Sequence, residues 1–336
     1  MLLLCARLCA AASLSAGEPP QSVLAPSGGR REREAVVVLD DDASSRVVYV
    51  DAFDDRTGRS FGEDDAFAES PYPDPAGEPY SFQLLPNGLM YRSYLAGPRE
   101  PRFAGVWNHE RDVGWVWDIT LGGRVGIMRY GTTDPVRPEG WQIDIEGAAL
   151  PRLDLEENRD MVSTDFRFGV PLTFRDGPIA TKFGYYHLSS HLGDEYLEKH
   201  PEAERINYSR DVLILGLSYF PWDDVRLYGE VGWAFYTSGG AEPWEFQFGA
   251  EYSPMLPSCM SPYPLHAMPF AAINAHLHEE VNYSGDLTVQ AGLQWRGAAS
   301  GHLYRIGLEY FNGMSRQYQF HEDFEEQIGI GMWYDY

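Results

Sequence analysis

The chain has 336 residues, of which 44% are hydrophobic, so it can fold around a sizeable core and wholesale disorder is excluded. Fifty Asp and Glu against 26 Lys and Arg give a formal charge of −24, which argues against a nucleic-acid partner, because neutralising phosphates needs clustered cations. After residue 20 no apolar run approaches the ~20 residues of a spanning helix, so any membrane span has to be built from strands.

Residues 1–16, MLLLCARLCAAASLSA, read as a secretory signal peptide: an apolar run followed by the small-residue pattern Ala10-x-Ala12, with Ala16 as a second cleavage position. Residues 17–80 form an acidic zone rich in Pro and Gly, a linker or tail predicted to be disordered because it offers too little apolar surface to offset its chain entropy. Two short β-type runs within it, Ala35–Leu39 and Val47–Asp51, are candidates to pair or to dock elsewhere.

From about residue 102 the pattern changes to period two and persists to the end. Trp141, Ile143 and Ile145 alternate with Gln142, Asp144 and Glu146, and Trp244, Phe246 and Phe248 alternate with Glu245, Gln247 and Gly249. Successive strand side chains point to opposite faces, so each segment has one apolar and one polar face. The polar face carries Gly, Gln, Asp, Glu and Arg, which suits a crowded barrel interior, and the apolar face carries aromatics near segment ends, as a membrane-interface girdle would. Twelve segments are predicted, at 102–110, 113–130, 139–151, 162–175, 178–191, 207–221, 224–237, 243–255, 263–277, 285–296, 302–313 and 325–336. The predicted fold class is therefore all-β: an antiparallel transmembrane β-barrel of about 12 strands, expected in the cell outer membrane. In the last segment Ile328, Ile330, Met332, Tyr334 and Tyr336 alternate with small or polar residues, Trp333 being the exception. This ending resembles the C-terminal signature that outer-membrane barrels present to the barrel assembly machinery.

Three stretches carry a more specific likeness: LAGPREPR at 95–102, GWQIDIEG at 140–147 and YHLSSHLGDE at 186–195. On these the region 91–336 resembles the family called domain of unknown function 1207. The resemblance implies an envelope protein of barrel type and supplies no activity, so the site is argued from chemistry.

Along 179–191, Ile179, Phe183 and Tyr185 share parity with His187 and Ser189, which places both polar residues on the lipid face near one strand end. Asn207 has lipid-face parity at the start of the next segment and is predicted to stand opposite His187. A His-x-Ser pair with a neighbouring Asn is similar to the exterior site of outer-membrane phospholipase A, and the His-x-Ser element also resembles the lipid A deacylase barrels. In that chemistry Ser189 is the nucleophile, His187 the base and Asn207 the residue that orients the imidazole. Asp194 and Glu195, just beyond His191, are candidate oxygen donors to Ca²⁺. His276-x-His278-Glu279-Glu280 is a candidate metal-binding run, since parity places both imidazoles on one luminal face, although a solvated polar cluster is the commoner outcome there. Glu230, Glu245, Glu251 and Glu309 are inward acids available to Arg124, Arg226 and Arg305. No phosphate-binding glycine loop, nucleophile elbow or His-Glu-x-x-His motif occurs. Two function classes follow. One is a structural or narrow-channel barrel, and the other is a lipid-ester hydrolase acting on outer-membrane lipid from its outer wall.

Overall fold

The computed structural model describes residues 33–39, 45–51 and 78–336. The predicted signal peptide, and most of the acidic zone that follows it, lie outside the described residues. The chain divides into two compact units, Met1–Pro71 and Tyr72–Tyr336. In the first, strands β1 (Arg33–Leu39) and β2 (Ser45–Asp51) pair antiparallel with Val37 opposite Val47, the first of the two outcomes open to these β-branched runs.

The second unit is a closed barrel. Its twelve strands are β4 (Phe103–Glu110), β5 (Gly114–Gly131), β6 (Gly140–Asp154), β7 (Asp160–Asp176), β8 (Ile179–Leu192), β9 (Ser209–Trp222), β10 (Val225–Ser238), β11 (Trp244–Tyr252), β12 (Met268–His278), β13 (Ser284–Arg296), β14 (Leu303–Met314) and β15 (Phe324–Asp335). Each pairs antiparallel with its neighbour, and the β15–β4 and β4–β5 ladders close the ring. All twelve predicted segments are strands, the first included. It is joined to β5 by a three-residue turn at 111–113, shorter than its neighbours on that side. A thirteenth strand, β3 (Ser81–Leu84), continues the β4 edge by pairing with Met128–Gly131 of β5.

Closure leaves no strand edge unpaired around the ring and explains the alternation. Outward positions such as Leu215, Leu217, Phe166, Phe168, Ile328 and Ile330 are exposed, an apolar belt of the kind a transmembrane barrel turns to lipid. Inward positions carry charge in pairs: Arg124–Asp144 at 2.7 Å, Arg226–Glu251 at 3.4 Å, Arg316–Glu309 at 2.8 Å and Arg305–Asp335 at 3.0 Å.

The lumen is also filled by the chain itself. Between β3 and β4, residues 85–102 enter the barrel, and Met90, Tyr91, Tyr94 and Ala96 are at most 1% exposed. Tyr94 Oη donates to Glu230 at 2.8 Å, the Leu95 N–H donates to Glu251 at 2.6 Å, and Arg305 donates to the Leu95 carbonyl. Gly216 faces this segment closely enough that an added Cβ would lie 2.8 Å from Tyr91 Oη. From the opposite end the β14–β15 loop folds inward, with Tyr318 2% exposed and stacked on Tyr208. The two insertions meet at Arg99, which bonds Asp286 and the carbonyls of Ser315 and Arg316 and lies 4.5 Å from the Tyr318 ring. Trp333, the exception in the C-terminal pattern, belongs to an inner apolar cluster with Leu95, Ala96, Phe270 and Leu303. It is inward because the plug supplies an apolar partner there.

Arg99→Met is expected to be strongly destabilising. It leaves Asp286 buried without its guanidinium, a loss of about 3–5 kcal/mol for breaking a buried pair from one side. The check is the temperature at which the compact, fast-migrating form disappears on gels, which should fall well below that of the parent chain.

Candidate active site on the outer wall

The site is built on three adjacent strands, β7, β8 and β9. On β8 the alternation is strict: Ala180, Lys182, Tyr186, Leu188 and Ser190 are buried in the lumen, and Tyr185, His187, Ser189 and His191 face out. His187 and Ser189 therefore sit where parity predicted them. Across the β7 ladder they stand opposite Phe168 and Phe166, two outward, half-exposed rings. Across the β9 ladder they stand opposite Asp211 and Ser209.

That pairing corrects the predicted register. Asn207 is not opposite His187; it precedes β9 and is exposed, and the residue that meets His187 is Asp211. His187 Nδ1 and Asp211 Oδ1 are 3.0 Å apart, and Tyr185 Oη donates to the same oxygen at 2.6 Å. The carboxylate is thus fixed from two sides, and it fixes the imidazole with Nε2 on the other side of the ring. Among the described residues no hydrogen bond joins Ser189 Oγ to His187. Such bonds are often long before substrate binds.

The surroundings grade from apolar to polar along the strands. Below the site lie Phe183, Leu213 and Leu215 of the belt, all outward-facing. Above it Arg205 Nη2 lies 2.9 Å from His191 Nδ1, and the His191 ring is edge-on to Phe166 at 5.8 Å. A cation is held at the polar margin of a lipid-facing wall, two positions beyond Ser189. Arg205 was not recognised in the sequence, where the 191–206 gap showed no pattern.

Asp194 and Glu195 fall in the first turn of a short helix, α1 (Asp194–Lys199), where both are exposed. The same helix borders a cavity of about 440 Å³ at this end of the barrel, lined by Glu110, Asp154, Asp160, Tyr196 and Asp323 among others. There Lys199 is held above its usual value by hydrogen bonds to Asp160 and Glu157, and burial, with Glu325 and Glu322 nearby, raises Asp323.

Solved structures similar to this chain are outer-membrane proteins. Outer membrane phospholipase A from Escherichia coli shares 11% identity, covering 73% of this chain and 94% of its own, with a TM-score of 0.47. The calcium-bound phospholipase dimer from Salmonella typhi shares 11% over 70% of this chain and 91% of its own, with a TM-score of 0.45. KdgM porin shares 12% over 69% of this chain and 99% of its own, with a TM-score of 0.37. At such values nothing of their activities transfers to this chain. No curated protein sequence matches it. The family model described as protein of unknown function (DUF1207) matches residues 78–336, and the chain belongs to that family.

Proposed function

We propose that the protein resides in the outer membrane as a plugged barrel and hydrolyses lipid esters on its outer wall. The observation that carries this reading is the His187–Asp211 bond on the lipid-facing surface, two residues from Ser189 and flanked by Phe166 and Phe168. A His–Asp pair of this make-up costs stability in a lipid belt, so a catalytic use accounts for it better than a structural one. Ser189 Oγ attacks the ester carbonyl carbon and passes its proton to His187 Nε2. Asp211 stabilises the resulting imidazolium, which returns the proton to the departing alcohol. Water then repeats the sequence on the acyl-serine, releasing the fatty acid and restoring the hydroxyl. Phe166 and Phe168 border the acyl chain, and Arg205 is placed for an anionic headgroup.

The filled lumen supports the same reading against a channel role. Two cavities beside the plug, one lined by Gly97, Arg102, Gln290 and Trp333 and the other by Arg92, Glu251 and Arg296, hold about 20 Å³ each, the scale of a single water. The deciding experiment is release of fatty acid from phospholipid and from lipid A by purified protein in mixed micelles, with and without added Ca²⁺. No release under either condition refutes the reading.

We propose further that the barrel assembly machinery handles the last strand, a reading that rests on the outward alternation of Ile328, Ile330, Met332 and Tyr334. Tyr334 accepts or donates a bond to His302 at 2.7 Å, and Tyr336 packs edge-on to both. Deleting residues 334–336 is expected to reduce membrane insertion several-fold in cells while leaving refolding into detergent much less affected. Equal losses in both would mean that the three residues act through contacts alone.

A further inference from the structure

At the end of the lumen covered by the infolded loop lies a second cluster that the outer-wall chemistry does not use. Glu245 on β11 stands directly opposite His278 on β12, and His276 is two residues along on the same inner face. One ligand atom from each of the three lies within 4.8 Å of the others. His276 Nε2 is 3.2 Å from Glu245 Oε2, and the two imidazole centroids are 3.9 Å apart. Two donors at ~2.0–2.1 Å from one tetrahedral ion would be separated by about 3.3 Å. The His276–Glu245 pair, hydrogen-bonded at 3.2 Å, stands at that spacing, and the His278 donor lies within 4.8 Å of both.

The second observation is His278 itself. It is 3% exposed, yet neither ring nitrogen has a hydrogen-bond partner. Buried polar atoms are nearly always satisfied, and neither nitrogen of this imidazole is committed to a hydrogen bond, so the ring is available to a ligand. Glu280 Oε1 stands 3.6 Å from His278 Nδ1, where a carboxylate orients a metal-bound imidazole. The neighbouring charges tolerate a cation. Arg210 is 3.5 Å from Glu245 and Arg99 is 3.4 Å from His276 Nδ1, but Glu245, Glu280 and Asp286 outnumber these two guanidiniums.

We propose that Glu245, His276 and His278 form a binding site for a divalent transition ion of the zinc class. Two imidazoles and one carboxylate suit such an ion and disfavour Ca²⁺ and Mg²⁺, which take oxygen shells. His278 lies edge-on to Tyr318 at 5.7 Å, so an ion held there stiffens the wall on which the infolded loop rests. The site is independent of Ser189 and of any hydrolysis.

The test uses the full chain purified in detergent, stripped with a chelator, loaded with Zn²⁺ and dialysed against metal-free buffer. The wild type is expected to retain about one Zn²⁺ per chain by elemental analysis, and the His276→Asn/His278→Asn double variant to lose it. Retention of equal Zn²⁺ by the double variant, or no retention by the wild type, overturns the proposal. Co²⁺ provides a readout that needs no variant: intense visible bands of a four-coordinate ion are expected in the wild type, and their absence refutes the site. Ca²⁺ retained as tightly as Zn²⁺ by the wild type and lost in the double variant also refutes it, since an oxygen-binding acidic patch would then suffice.

Discussion

Ser189→Ala is expected to lower fatty-acid release by at least about 10³-fold while the protein still migrates as a heat-modifiable barrel, because removing the nucleophile leaves only background catalysis. The outward hydroxyl packs against nothing that the fold depends on, so the loss should appear in kcat with little change in unfolding temperature. His187→Ala should match it, since the serine hydroxyl is a poor nucleophile without a base. Asp211→Asn separates the present geometry from the register predicted by parity. It keeps the shape but removes the charge that stabilises the imidazolium, and a drop of roughly 10²–10⁴-fold is expected. Asn207→Ala should leave the rate unchanged, because Asn207 does not face His187. Tyr185→Phe removes one of the two bonds on Asp211 Oδ1 and should cost only a few-fold. The measurement is initial rate on phospholipid micelles at fixed detergent. Full activity in Ser189→Ala, or a larger loss in Asn207→Ala than in Asp211→Asn, would reject the assignment.

The contrast between Asp211 and Asn207 shows where the sequence stops being legible. Alternation of Phe183, Tyr185 and His187 against Lys182, Gly184 and Tyr186 fixes which face each residue takes, because a one-residue slip would put Lys182 into lipid. A slip of four residues changes no face at all. Parity therefore places His187 outward correctly and has no power to choose between Asn207 and Asp211 as its partner. What selects Asp211 is where the β8–β9 connection ends: α1 and residues 200–208 occupy the chain before β9 begins at Ser209. The third member of the buried cluster, Glu245, escaped for a related reason. It lies on a different strand from His276 and His278, and only the β11–β12 register brings it opposite His278.

The plug was illegible in its own residues and partly legible in the wall. Residues 85–102 have no period, so nothing in their pattern assigns them to the lumen. Yet Tyr186, Phe220, Tyr228, Phe270, Phe311 and Trp333 all fall on the polar parity of their strands and are buried. Inward aromatics are out of place in a hydrated lumen and belong in one that must grip something apolar. Tyr91 and Tyr94 are what the Tyr228 and Phe220 region grips, while Leu95 and Ala96 serve Phe270 and Trp333.

This double filling sets the second large expected effect, on ion conductance in planar bilayers. The wild type should be silent. Deleting residues 85–100 should leave it nearly silent, because the β14–β15 loop still occupies the other end through the Tyr318–Tyr208 stack, the Gln317 bond to the Leu150 carbonyl and the Arg316–Glu309 pair. Replacing residues 315–322 by a short Gly-Ser turn should be equally silent, since the plug still holds Glu230, Glu251 and Asp286. Only the two changes together are expected to open a steady conductance. The barrel should survive them, because every wall ladder from β4 to β15 is retained and the freed acids gain water as the lumen fills. A conducting wild type would return the protein to the channel class. A silent double deletion that still migrates as a folded barrel would mean that the inner wall of Arg and Glu pairs closes the lumen without help from either insertion.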